Sequence, residues 1–147
     1  MCIRDREKEA DRALKMGYPN PIHDSKGACD DDYDAAVRLC IDNIDIVSVC
    51  AGTHNENSSF LLVKLLNEAG LEPNDPRIWF AQLYGMSDNI SFNLAAKGYN
   101  VAKYLPYGPI QAVMPYLGRR AKENSSMAGQ MGRELSLIVQ ELRRRKL

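Results

Sequence analysis

Apolar positions change their spacing several times along the chain, and each change marks an element. Residues 5–16 carry charge on one face and Ala10, Ala13 and Leu14 on another, which predicts a helix stopped by Gly17. Tyr18-Pro19-Asn20-Pro21 reads as a turn. Residues 30–43 predict a second helix, with acidic residues in its first turn and Tyr33, Ala36, Val37, Cys40 and Ile41 on one face. Residues 44–51 are β-branched and nearly all apolar, the pattern of a short strand buried on both faces. Gly52-Thr53-His54-Asn55 is a polar loop, and residues 56–69 predict a helix that closes at Gly70. After a loop marked by Pro73 and Pro76, residues 78–83 form a second apolar strand and residues 84–86 a loop. Ser87 is expected to cap a helix running through Ala96 and ended by Gly98. Residues 100–105 give a third strand, followed by Pro106-Tyr107-Gly108-Pro109 and two helices, about 110–124 and about 130–145.

The resulting order, α-α-β-α-β-α-β-α-α, alternates strands and helices and predicts an α/β fold with a parallel sheet. An open doubly wound sheet and part of a (β/α)8 TIM barrel both fit. No G-x-G-x-x-G follows any strand, which weakens the dinucleotide-binding open sheet. The informative polar residues stand just after the strand ends, where barrel enzymes place their sites. A whole barrel takes roughly 200 residues or more, so three strands amount to about three-eighths of one.

Charge and cysteine usage narrow the function classes. Lys+Arg and Asp+Glu both number 19 in 147 residues, a net charge of zero, which argues against nucleic acid as a partner and against a polybasic membrane anchor. The longest apolar runs are too short for a bilayer, and Met1-Cys2-Ile3-Arg4-Asp5-Arg6 runs straight into charge, unlike a secretory signal. Cys2, Cys29, Cys40 and Cys50 form no C-x-x-C pair and read as reduced thiols; with His23 and His54 far apart, no metal site is expected.

Four groups of residues could carry chemistry. Tyr116, Arg119, Arg120 and Glu123 recur at i, i+3, i+4 and i+7, a polar stripe beside the apolar Val113, Leu117 and Ala121. Two guanidinium forks there could clamp a carboxylate or phosphate, with Glu123 holding them; ordinary solvated Arg–Glu pairs fit the same spacing. Thr53, His54 and Asn55 offer hydrogen-bonding groups to a cofactor, although Thr53 or Asn55 could merely cap the next helix. Gln82, polar within an apolar strand that ends at Leu83, needs partners that a flavin edge, a neighbouring strand or water would supply. Tyr104, at the end of the third strand, could pack on a flat ligand or stand at the water interface. Lys103 reads as a solvated or ion-paired lysine, Trp79 and Phe80 as core, and Arg143-Arg144-Arg145-Lys146 as a solvated helix end.

Three linked stretches are more specific than any of these alone. They are Gly85-Met86-Ser87-Asp88-Asn89-Ile90-Ser91-Phe92, Gly98-Tyr99-Asn100-Val101-Ala102-Lys103-Tyr104-Leu105-Pro106-Tyr107-Gly108-Pro109 and Met114-Pro115-Tyr116-Leu117-Gly118-Arg119-Arg120-Ala121-Lys122-Glu123-Asn124. In this order they resemble the C-terminal half of proline dehydrogenases. Gly52-Thr53-His54-Asn55 fits too, as does the stretch from Glu9 to Pro21. The resemblance implies a (β/α)8 barrel with FAD at the strand C-termini, oxidation of L-proline to 1-pyrroline-5-carboxylate, and a quinone as final electron acceptor. It implies that Arg119 and Arg120 clamp the proline carboxylate, that Glu123 pairs with them, and that Tyr116, Tyr104 and Leu83 line the proline pocket. Thr53 and His54 would contact the flavin cofactor, with Asn55 and Gln82 as weaker candidates.

The resemblance also carries departures and rivals. Gly118 replaces a branched aliphatic, at a cost of roughly 1 kcal/mol in helix propensity. The chain is expected to begin after the family's fifth strand, so the family's catalytic lysine, its aspartate near the flavin and a fifth-strand arginine have no counterpart. Residues 1–6 match nothing and read as a leader, with the barrel segment at 7–147. A 4-hydroxyproline dehydrogenase is the close rival; a non-catalytic interaction module is the rival from another class. The implied location is the cytoplasm, peripheral at the inner membrane, or the mitochondrion in a eukaryote.

Overall fold

In a computed structural model, the structure describes residues 3–126 and 128–145, with the side chains of residues 8–118 and 135–145. The helices and strands follow the expected order: α1 (Ile3–Met16), α2 (Lys26–Asp42), β1 (Val49–Gly52), α3 (Glu56–Glu68), β2 (Ile78–Leu83), α4 (Asp88–Ala96), β3 (Val101–Tyr104), α5 (Ile110–Ser126) and α6 (Ala128–Arg144).

Two boundaries differ from the sequence pattern for local reasons. Helix α2 starts at Lys26 because Ser25, in an extended conformation, accepts the Ala28 N–H at 3.1 Å as its N-cap. The acidic residues expected in its first turn therefore lie a turn further along. The first strand is four residues long rather than eight. Residues 44–47 continue from the helix as a turn, with the Ile44 N–H on the Ile41 carbonyl at 3.2 Å and the Ile46 N–H on the Asn43 carbonyl at 3.0 Å. A strand needs a partner. Its neighbour β2 begins at Ile78, which stands opposite Val49, so upstream of Val49 there is no ladder to join.

The sheet is parallel in the order β1-β2-β3. Its register sets Ala51 beside Phe80 and Phe80 beside Val101, and on the other face Gly52 beside Ala81, Ala81 beside Ala102 and Leu83 beside Tyr104. Val49, Ala51, Ile78 and Phe80 are buried against the helices, where Val37 and Ile41 of α2, Leu62 and Leu66 of α3, and Ile90 and Leu94 of α4 complete one core. Phe80 is fully buried, as expected, and meets Tyr99 edge-on with ring centroids 5.6 Å apart. The opposite face stays open. Side chains alternate along a strand, and among the described residues the buried strand positions face α2, α3 and α4 while the alternate positions are exposed or half-buried, so the expectation of strands buried on both faces is corrected. Trp79, read as core, points to that open side; it is 42% exposed, with its indole N–H on the Pro76 carbonyl at 3.2 Å. Gly70 and Gly98, at φ +66 and +85, end α3 and α4 in the left-handed region glycine tolerates.

Candidate functional site at the strand C-termini

The three βα loops lie together at one edge of the sheet, and their side chains are cross-linked by hydrogen bonds. After β1, the Thr53 N–H extends the ladder one step onto the Ala81 carbonyl at 3.2 Å. Thr53 Oγ1 accepts the Asn55 N–H at 3.0 Å, and Asn55 Oδ1 accepts the Asn57 N–H at 2.9 Å. Asn55 is thus the cap of α3, and Thr53 closes the turn before it. His54 reaches across to the next loop. Its Nδ1 lies 2.9 Å from Ser87 Oγ, and the Leu83 N–H points at its Nε2 at 3.5 Å.

At the end of β2, Gln82 is 2% exposed and finds its partners within the chain. Its amide donates to the Thr53 carbonyl at 3.3 Å, and its Oε1 accepts from Ser91 Oγ at 2.9 Å. Of the alternatives open in the sequence, the hydrogen bond to a neighbouring strand end is the one present. Ser87 occupies the N-cap position of α4 but does not cap it with its side chain. It sits in the left-handed region at φ 51, ψ 44, and its hydroxyl is turned to His54. The expected cap is corrected on that account. Asn89 and Glu56, at the starts of α4 and α3, are joined at 2.8 Å.

From β3, Lys103 is ion-paired: its Nζ donates to the Met86 carbonyl at 2.6 Å and meets Asp88 Oδ1 at 2.8 Å. Tyr104 turns to the open face and packs edge-on against Tyr116 of α5, ring centroids 5.6 Å apart at 63°. Its register partner is Leu83. The structure therefore brings Leu83, Tyr104 and Tyr116 together in one corner walled by two aromatic rings. The side chains of Arg119, Arg120 and Glu123 lie outside the described residues; the backbone places them three, four and seven positions beyond Tyr116 in the same helix. Sequence reasoning missed Ser87 as a partner of His54, because a serine before a helix is most simply a cap. It also missed Ser91, whose spacing carries no signal for a bond back to Gln82.

Chemically, the corner offers flat aromatic walls over an open sheet face, with hydroxyl, imidazole and amide groups along the strand ends. Such a place suits a planar ligand with polar edges. Among the described residues there is no cluster of three or more His, Cys, Asp or Glu that could hold a metal ion.

Comparison with known proteins gives a consistent set of relatives. The family model described as proline dehydrogenase matches residues 6–133. The chain is similar to "Proline dehydrogenase 1, mitochondrial" of Drosophila melanogaster, at 36% identity over 95% of this chain and 22% of the relative. It is similar to the human protein of the same name at 40% identity, over 94% of this chain and 24% of that one. A hydroxyproline dehydrogenase of Bos taurus is 36% identical over 96% of this chain and 31% of its own length. The chain thus spans about a quarter of the length of the curated relatives it matches. Among solved structures, the crystal structure of proline utilization A from Bdellovibrio bacteriovorus, inactivated by N-propargylglycine, matches with a TM-score of 0.72 at 26% identity. That match covers 82% of this chain and 12% of the other.

Proposed function

Because the chain belongs to the proline dehydrogenase family, we propose that it serves the FAD-dependent oxidation of L-proline to 1-pyrroline-5-carboxylate, with a quinone as the final electron acceptor. Its fold is α/β, a parallel sector of the family's (β/α)8 barrel. The observation that carries the substrate reading is the corner formed by Leu83, Tyr104 and Tyr116 at the strand ends. The methylene part of a five-membered imino-acid ring suits such a wall. In this reading Arg119 and Arg120 hold the carboxylate as a fork–fork pair, Glu123 holds the two guanidinium groups, and the two tyrosines and Leu83 shape the ring pocket.

The chain's residues fit one side of a flavin. The half-buried Thr53 and His54 and the open row of Leu83 and Tyr104 lie on adjacent strands, so a polar edge and a flat face can be met together. FAD, when bound, supplies the acceptor for the hydride that leaves the proline ring. Thr53 and His54 would hold its edge. The amides of Asn55 and Gln82 already serve the cap of α3 and the link to α4, so their part is to fix the loop on which Thr53 and His54 stand.

The hydroxyproline dehydrogenase among the relatives favours one second reading, 4-hydroxyproline as substrate. The proposed location follows the mitochondrial names of the fly and human relatives, with peripheral membrane contact near the quinone. Among the described residues, no helix is long and apolar enough to cross a membrane. The test is dye-coupled turnover of a flavin-loaded protein carrying the whole barrel, with proline and 4-hydroxyproline in parallel. Proline is expected to give the higher kcat/KM, and Tyr104→Ala and Tyr116→Ala to raise its KM. Folded, flavin-loaded protein reduced by neither imino acid would refute the reading.

A further inference from the structure

We infer that Ser87 is a positioning residue for the flavin site, acting through His54; the inference rests on the proposed flavin role of that histidine. Three observations carry it. First, Ser87 is 1% exposed and is the only non-glycine residue with positive φ among the described residues. A side chain in the left-handed region costs free energy that the surroundings must offset. Second, the side chain held there makes no cap for the helix it precedes and instead meets His54 Nδ1 at 2.9 Å. Third, the backbone around Ser87 is clamped. Its carbonyl accepts from the Ile90 and Ser91 amides, both at 3.1 Å, and lies 3.2 Å from Ser91 Oγ, which also reaches Gln82. Gln82 in turn donates to the Thr53 carbonyl, directly before His54. A partly buried circuit thus runs from the β1 loop through β2 and α4 and back to the β1 loop.

The circuit also fixes the proton on the imidazole. A backbone N–H can only donate, so the Leu83 amide at 3.5 Å makes His54 Nε2 an acceptor. Neutral imidazole then carries its proton on Nδ1 and gives it to Ser87 Oγ. Ser87 Oγ, as the acceptor of that proton, fixes the plane of the ring, while the Leu83 amide fixes the tautomer. A glycine would fill the same backbone conformation without strain; the hydroxyl is what only serine's side chain adds here.

The experiment uses a flavin-binding protein carrying the whole barrel, with Ser87→Ala, Ser87→Gly, His54→Ala and the double variants. Ser87→Gly keeps the left-handed backbone relaxed and covers the case in which the alanine variant fails to fold. Flavin dissociation constants are read by equilibrium titration, and the hydrogen bond at His54 Nδ1 by imidazole 15N and N–H proton shifts, assigned by the loss of signal in His54→Ala. The Ser87 variants are expected to weaken flavin binding roughly three- to ten-fold, the scale of one lost hydrogen bond. The Nδ1–H should keep its proton but lose its hydrogen-bonded shift, the KM for proline should stay within twofold, and no further effect should appear in the His54→Ala background. Additive effects in that background, or an unchanged Nδ1–H shift in the Ser87 variants, would overturn the inference while leaving the flavin site standing. A parent that shows a hydrogen-bonded Nδ1–H and the loss of that bond in the Ser87 variants, but binds no flavin, would instead refute the proposed function and leave the brace.

Discussion

Asp75 accepts from the Arg77 backbone N–H at 2.9 Å and from its guanidinium at 2.9 and 2.6 Å, closing the turn that leads into β2. Those side-chain bonds hold its carboxyl down at about 2, from an ordinary 3.8. A depressed carboxylate stabilises the fold above its unfolded pKa, and that contribution drains away as the pH falls through the folded value. The stability difference between the parent and Asp75→Asn should therefore be constant above about pH 5 and shrink steadily between about pH 4 and 2. Urea titrations across that range check it; a difference that grows toward acid would rule it out. The arginines of α5 make the other prediction at this scale. In a protein carrying the whole barrel, Arg119→Met or Arg120→Met should raise the KM for proline strongly, since losing a charge-assisted contact costs ~2–5 kcal/mol. Steady-state kinetics decide this, and a KM within twofold of the parent in both variants would sink the carboxylate clamp.

Helix α5 is intrinsically weak where it matters. Pro115 stands inside it and cannot donate to the Gln111 carbonyl, and Gly118 follows three residues later. A Cβ built at Gly118 meets nothing within 4 Å. Gly118→Ala should therefore stabilise the helix by about 1 kcal/mol, seen as a raised Tm of the flavin-loaded protein. A lowered Tm would mean that the backbone at 118 is approached closely by another element. The contrast with α3 is instructive. There Asn55 caps the start, Leu62 and Leu66 are fully buried, and the helix is anchored independently of any ligand. The proposed cofactor loop thus stands on a firm helix and the proposed substrate helix on a soft one.

At the scale of the molecule, the sheet formed by the described residues ends at β1 and β3 with no further strand paired to either, and it leaves one face largely uncovered. Trp79 and Tyr104, 42% and 55% exposed, stand on that face, and Leu135, Ile138 and Leu142 of α6 are also exposed. Three parallel strands cannot close a barrel, and uncovered edges and apolar faces associate. The 147-residue chain on its own should therefore show no proline:quinone activity, bind FAD weakly or not at all, and aggregate readily. Flavin co-elution and dye-coupled turnover with proline measure this. Stoichiometric flavin with turnover would show that the chain completes its site by self-association.

The order of elements, the parallel sheet and the grouping of polar residues at strand ends were all legible in the sequence, because each rests on short-range periodicity or on a Gly or Pro that breaks it. The family was legible for a different reason: several spaced motifs recur together. What the sequence left open was decided by partners far away along the chain. Residues 44–47 have strand composition but no strand opposite them, so they turn instead. Trp79 and Phe80 are adjacent and both apolar, yet the placement of helices on one side buries only Phe80. Ser87 looks like a cap until His54, 33 positions earlier, is brought to 2.9 Å from its hydroxyl. Local pattern dictates which way the backbone runs, whereas a side chain's partner depends on which loops the paired strands set side by side, and no local window contains both.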